Sequence, residues 1–229
     1  VMRVYGYSHI VGTPMTGQVV RGRLLPERRM TDKVKSLLIA QGAQEIVTYS
    51  FISGRAADQL GLAPDDPRRQ AVTLLNPLGE EYSTMRTQLL SSMLTVLSTN
   101  LNRKIPAARF FEASKLFLPR SLPLTELPDE VPALSLGLYG EKEDFFTLKG
   151  LVETLAEGFG VKVDYTRSAE PYLHPGRQAR AAVGVSRLPV RRVVGPARVE
   201  ERCIPLRHAR IDRTAQVVPG VGVRPVQGE

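Results

Sequence analysis

The sequence predicts an α+β fold, a largely antiparallel sheet with helices packed on it. Three observations carry this. Short β-branched and aromatic runs mix with one-sided helical patterns without a steady strand–helix–strand alternation. No glycine-rich phosphate loop follows a strand in residues 1–185, which argues against a doubly wound nucleotide fold. No internal repeat divides the 229 residues.

The first 20 residues hold Tyr5 and Tyr7 and then Gly12-Thr13-Pro14, and read as the end of one unit running into a linker. The chain begins with Val1, and we read it as a fragment. A helix is expected over 26–42, with Met30, Val34, Leu37 and Leu38 on one face and Gly42 as its stop. Its surroundings are basic: Arg21, Arg23, Arg28, Arg29, Lys33 and Lys35 form either a solvated face or a tRNA or phosphate contact. Residues 45–52 alternate and read as a strand, and Ser53 can cap a short helix to 60.

A strand over 72–75 leads to Asn76-Pro77, a turn pair, and to the acidic pair Glu80-Glu81. Adjacent carboxylates point apart and cannot flank one substrate, so we expect them to charge the approach to the next helix. That helix carries Leu89, Leu90, Met93, Leu94, Leu97 and Leu101 on one face, and Pro106 follows it. Between them stand Met85 and Arg86. An arginine before an apolar helix needs an anionic partner, either a carboxylate such as Glu81 or Glu112 or a ligand.

Strands are expected over 109–117 and 133–139, joined by a loop with four prolines. A helix over 145–159 ends at Gly160, and short strands follow over 161–165 and 179–183. Between them His174-Pro175-Gly176-Arg177 is a turn in which the arginine could meet a phosphate. Residues 186–229 differ in character. They hold nine Arg and no Lys, nine Val and five Pro, and no aromatic residue. Such a segment is a natural basic tail or the product of a shifted reading frame, and we expect it to be poorly ordered.

Bulk properties exclude several classes. The net charge of +8 invites a nucleic-acid partner, but residues 186–229 alone contribute +5 of it. One cysteine, Cys203, rules out an internal disulfide framework, which fits a reducing cytoplasm. His9, His174 and His208 share no ligand spacing, so no metal site is expected. No serine stands in a Gly-x-Ser-x-Gly elbow. Gly220-Val221-Gly222 has neither a strand pattern before it nor a helix after it. No apolar run is long enough to cross a membrane.

The order of several short motifs is more specific. Arg3-Val4-Tyr5-Gly6-Tyr7 is followed by Thr48-Tyr49-Ser50-Phe51, by Asn76-Pro77-Leu78 with Glu80-Glu81, and by Ser83, Met85-Arg86-Thr87. Then come Phe111-Glu112 with Lys115-Leu116-Phe117, Leu148-Lys149-Gly150 with Glu153, and His174-Pro175-Gly176-Arg177. Over residues 1–185 this series resembles the beta subunit of bacterial phenylalanyl-tRNA synthetases.

The resemblance implies that residues 1–14 end a small nucleic-acid-binding-type domain, whose acidic magnesium ligands would lie upstream of Val1. It implies that residues 21–185 form a class II aminoacyl-tRNA synthetase-like module, an antiparallel sheet with flanking helices, incomplete at its C-terminal part. It also implies that the family's editing and anticodon-binding domains lie outside this chain. It further implies a degenerate copy of a catalytic domain, in an enzyme that uses ATP and magnesium through its alpha subunit. The arginine that a working class II site needs after the strand over 109–117 is replaced by Leu118-Pro119, and Arg120 comes late, behind a proline. A late Gly-x-Gly-x-Gly strand is also missing from residues 1–185. What is left is assembly into an alpha2-beta2 enzyme. Residues 28–52 correspond to the class II pairing segment, and exposed apolar surface on the helix over 89–101, or around Tyr49 and Phe51, would mark the interface. The chain departs from the family pattern at Gly79, where serine is usual, at Ser91-Ser92, where Pro-Gly is usual, and after residue 177.

Overall fold

The structure, a computed structural model, describes residues 1–19, 21–174, 178–183, 192–196 and 214–219. Five helices are described, α1 (Met2–Tyr5), α2 (Pro26–Ala40), α3 (Ala56–Gln59), α4 (Leu90–Asn102) and α5 (Phe145–Gly158). The strands are β1 (Gln44–Glu45), β2 (Phe51–Ile52), β3 (Thr84–Met85), β4 (Ala108–Leu118), β5 (Asp129–Tyr139), β6 (Val163–Arg167), β7 (Ala179–Val183), β8 (Arg192–Pro196) and β9 (Thr214–Pro219). Seven strands form one sheet in the order β1-β4-β5-β9-β8-β7-β6, and β2 pairs with β3 in a second. Among the described residues only the short β1–β4 pairing is parallel, and the other pairings are antiparallel.

The sheet is built on β4 and β5, which pair over eleven residues from Ala108↔Tyr139 to Leu118↔Asp129. Side chains alternate across this pair. Phe111, Leu136 and Leu138 join Leu38 of α2 and Leu148, Leu151 and Val152 of α5 in the main core. On the other face Phe110 and Tyr139 meet Met93 and Leu97 of α4, and Leu116 and Ala133 meet Leu89. Gly137 permits that close approach: a Cβ there would stand 2.7 Å from Met93 Cγ and 2.8 Å from Leu97 Cδ1. Asp144 starts α5 with a capping box, accepting from the Thr147 backbone N–H at 2.8 Å.

Several elements differ from expectation, each for a tertiary reason. The strand expected over 45–52 is divided between two sheets: Ile46 N–H still donates to Phe111 O, but Thr48 turns to Glu112 and only Phe51–Ile52 reach β3. Residues 72–75 make one bridge, Thr73↔Thr84, rather than a full strand. β5 begins at Asp129, earlier than expected, and includes Pro132. Proline is tolerated there because β9 pairs only with Leu136–Tyr139, so Pro132 lies on an open edge. Within residues 186–229, for which the sequence predicts poor order, β8 and β9 are strands of the main sheet, and the rest lies outside the described residues. β9 directly precedes Gly220, so a strand does stand before that glycine pair, contrary to expectation. No helix among the described residues is long and apolar enough to cross a membrane.

Candidate functional site

Arg86 sits between β3 and α4, and its own backbone joins the two sheets. Its N–H donates to Ser50 O at 2.9 Å and its carbonyl accepts from Phe117 N–H at 3.0 Å. The alternation of β4 places Glu112 and Ser114 on the face that meets this elbow. Arg86 Nη1 donates to Glu112 Oε1 at 2.8 Å, and Nε donates to Lys115 O at 2.9 Å. Nη1 also reaches Thr48 Oγ1 and Tyr49 O, and Nη2 donates to Ser114 Oγ. Thr48 Oγ1 lies 2.9 Å from Glu112 Oε2, and Thr48 N–H also points to the carboxylate. Arg86 and Glu112 are each 1 % exposed. A cation so enclosed and so fully bonded is closed to an incoming phosphate or carboxylate.

Of the two carboxylates that the sequence offers Arg86, the structure chooses Glu112. Glu81 is exposed, in a 3-10 turn with Glu80 (Glu80–Tyr82), and Glu80 lies 4.0 Å from Arg55 with both side chains in solvent. The expectation that this pair charges the start of α4 is corrected, because α4 begins at Leu90 and has no acidic residue in its first turn. Asn76 and Pro77 are exposed in the turn before it, and Met85 is half-buried in β3. His174 is exposed, while Arg177 lies outside the described residues. Arg21, Arg23, Arg28 and Arg29 are all exposed, with Arg28 paired to Asp32 one helical turn on.

A second polar cluster was not legible in the sequence. Arg68 forks onto Asp66 (2.6 and 2.9 Å) and reaches Glu170 and the Tyr172 hydroxyl, both at 3.1 Å. The hydrogen bond from Arg68 holds the Asp66 carboxyl below its ordinary value. The same bond from Asp66 holds the guanidinium more firmly charged than usual. Burial, with Glu170 nearby, pushes the Tyr172 phenol up to about 12. Leu60, Leu62, Leu90, Tyr172 and Leu173 pack beside it. Asp66, two residues before Arg68, was the only local signal; the other partners stand about a hundred residues away.

At the end of β4 stand Leu118 and, two residues beyond it, Arg120. Leu118 is apolar and packs against the cluster of Leu89, Leu116 and Ala133. Arg120 is committed to Asp129 (2.7 Å) and Glu126 (3.2 Å). Nor is the α4 face an open contact surface, because Leu89, Leu90, Met93 and Leu97 are all buried, which corrects that expectation. Exposed apolar side chains lie elsewhere, among them Leu75, Leu78, Leu127 and Phe146, and Ile39 (57 %), Val47 (87 %) and Tyr49 (64 %) on the segment running from the end of α2 to β2.

Comparison with known proteins supports the family reading. Residues 10–197 match the family model described as phenylalanyl tRNA synthetase beta chain CLM domain. The chain is 38 % identical over 185 residues to the phenylalanine–tRNA ligase beta subunit of Clostridium tetani, covering 80 % of this chain and 23 % of the relative. It is 36 % identical over 210 residues to that of Clostridium acetobutylicum, covering 89 % and 26 %. The chain therefore spans about a quarter of the length of the curated relatives it matches. Among solved structures, pyrrolysyl-tRNA synthetase from Desulfitobacterium hafniense superposes with a TM-score of 0.60 at 18 % identity, covering 84 % of this chain and 65 % of that one. That likeness concerns the fold alone.

Proposed function

The chain belongs to the phenylalanyl-tRNA synthetase beta chain family, and on that premise we propose that it is a non-catalytic module of phenylalanine–tRNA ligase. It supports ATP-dependent attachment of phenylalanine to tRNA by a partner alpha subunit, and its own contribution is assembly. One observation carries this reading: the charged elbow is sealed inward, while Ile39, Val47 and Tyr49 are turned out to solvent on one short segment. An apolar group of this kind, flanked by polar residues, is suited to contact another subunit. The residues ending β4 agree with it, since Leu118 cannot neutralise a developing phosphate charge.

The experiment is co-purification of the chain with the phenylalanine–tRNA ligase alpha subunit, using Val47→Glu and Tyr49→Glu. The substitutions are expected to weaken association at least tenfold with the chain's own unfolding unchanged. Undiminished association, or phenylalanine-dependent ATP–pyrophosphate exchange by this chain alone, would overturn the proposal.

A second reading rests on the exposed arginines ahead of and within α2, Arg21, Arg23, Arg28 and Arg29. They would contact the phosphate backbone of tRNA.

A further inference from the structure

On the premise that the chain assembles with an alpha subunit through Val47 and Tyr49, we propose that the turn over 75–82 is the other half of that contact. The partner surface it fits is apolar, with a lysine or arginine at its edge. Asn76, Pro77, Leu78, Glu80 and Glu81, the motif in this turn, are all exposed. None of them enters the core or bonds to Arg86.

The fold brings this turn to the segment that holds Val47 and Tyr49. The Tyr82 ring meets the Tyr49 ring edge-on, with centroids 5.3 Å apart. The bridge Thr73↔Thr84, with Leu74 N–H donating to Ser83 O at 2.9 Å, sets a register in which Leu75 comes level with Tyr82. Leu75 and Leu78 are almost wholly in solvent, as is Val47. The chain reversal does not need leucine, since Asn76, Pro77 and Gly79 already supply turn residues. A single exposed leucine is ordinary on a protein surface. Here the ring pair joins the two segments that carry Val47, Leu75 and Leu78, so their apolar side chains share one region of the surface.

The charge beside these side chains selects the occupant. Among the described residues Glu80 meets Arg55 at 4.0 Å with both side chains in solvent, and Glu81 forms no ion pair. Glu81 folds back over Gly79, where an added Cβ would stand 2.6 Å from its Oε2. Two carboxylates against one guanidinium leave the turn negative. That charge repels a nucleic-acid backbone. It also disfavours a second copy of this chain, because a two-fold contact presents the same acidic patch from both sides. A subunit surface with Lys or Arg opposite Glu80 and Glu81 complements it, with the apolar side chains at the centre and the charges at the rim. Rim charges of this kind act mainly on the association rate and its dependence on salt.

The test is association of the 229-residue chain with the phenylalanine–tRNA ligase alpha subunit, followed by surface plasmon resonance at about 0.05 M and about 0.5 M salt. Leu75→Ser with Leu78→Ser should weaken affinity at least tenfold at both salt levels, with the chain's own unfolding midpoint unchanged. Glu80→Gln with Glu81→Gln should slow association at least threefold at low salt and leave it unchanged at high salt. Full affinity in the leucine variant, or an unchanged low-salt association rate in the glutamine variant, overturns the proposal. Val47→Glu separates this outcome from failure of the premise. If Val47→Glu weakens binding and the turn variants do not, the assembly stands and the turn is no part of the contact. If Val47→Glu also binds with full affinity, the premise falls. Self-association of the chain in sedimentation, abolished by Leu75→Ser with Leu78→Ser, would assign the patch to a second copy and overturn the proposal as well.

Discussion

Arg86 Nη1 donates to Glu112 Oε1 at 2.8 Å where neither side chain meets water. The pair is separated by 26 positions in sequence and joins the elbow before α4 to the central strand β4. Burying both charges is expensive, and the geometry offsets that cost by satisfying the guanidinium with Thr48, Tyr49, Ser114 and Lys115 as well.

Removing one member strands the other. Arg86→Ala should lower stability by about 3–5 kcal/mol, read from the urea midpoint at constant slope. Arg86→Met combined with Glu112→Leu should cost less than Arg86→Ala, because no charge is left unpaired. If the single and double variants unfold alike, the pair is not the source of the loss. If Arg86→Ala left stability and assembly intact but abolished charging by the assembled enzyme, its structural role would be wrong.

Asp66 sets an acid limit. Its carboxyl is held below its ordinary value of 3.8 by the hydrogen bond from Arg68. Its contribution is therefore present above that value and is lost as pH falls through the lower, folded value. Asp66→Asn should be less stable than the unsubstituted chain at pH near 6. The gap should narrow as pH falls below about 4, in parallel denaturation curves.

Tyr172 sets an alkaline limit. Its phenol is raised from 10.0 to about 12, mainly by burial. The stability this represents is complete below the ordinary value and disappears as pH rises through the raised one. Burial also raises the Tyr139 phenol, so tyrosinate absorbance should show more than one phenol ionising late, and Tyr172→Phe should remove the late step near 12. Loss of the late step in Tyr139→Phe instead would reassign it.

Asp144 is a local test of α5. Asp144→Ala removes the acceptor for Thr147 N–H and should cost about 1 kcal/mol in thermal or urea unfolding. Asp144→Ser should recover most of it.

The exposed arginines test the second functional reading. Arg28→Ala with Arg29→Ala should reduce a salt-dependent tRNA affinity and make its dependence on salt shallower by roughly one to two contacts. Equal affinity and equal salt slope would remove α2 as a tRNA contact.

The sequence by itself determined the elements whose signal is local. The one-sided leucine pattern before Asn102 located α4, the pattern ending near Gly160 located α5, and 179–183 was legible as the strand β7. The ordered series of short motifs, not any composition value, pointed to the family. Tertiary structure alone decided what the polar residues do. Glu112 and Glu81 were equal candidates for Arg86 until the pleat of β4 turned Glu112 toward the elbow and left Glu81 in solvent. Thr48 broke a plausible strand because its hydroxyl and N–H serve that same carboxylate. The apolar face of α4 gave no clue whether it met a partner or its own sheet, and Gly137 settled that by letting it close on β5. Periodicity records which way a side chain points along its own element. What it meets there depends on segments brought together from far along the chain, and those pairings are set by packing of the whole.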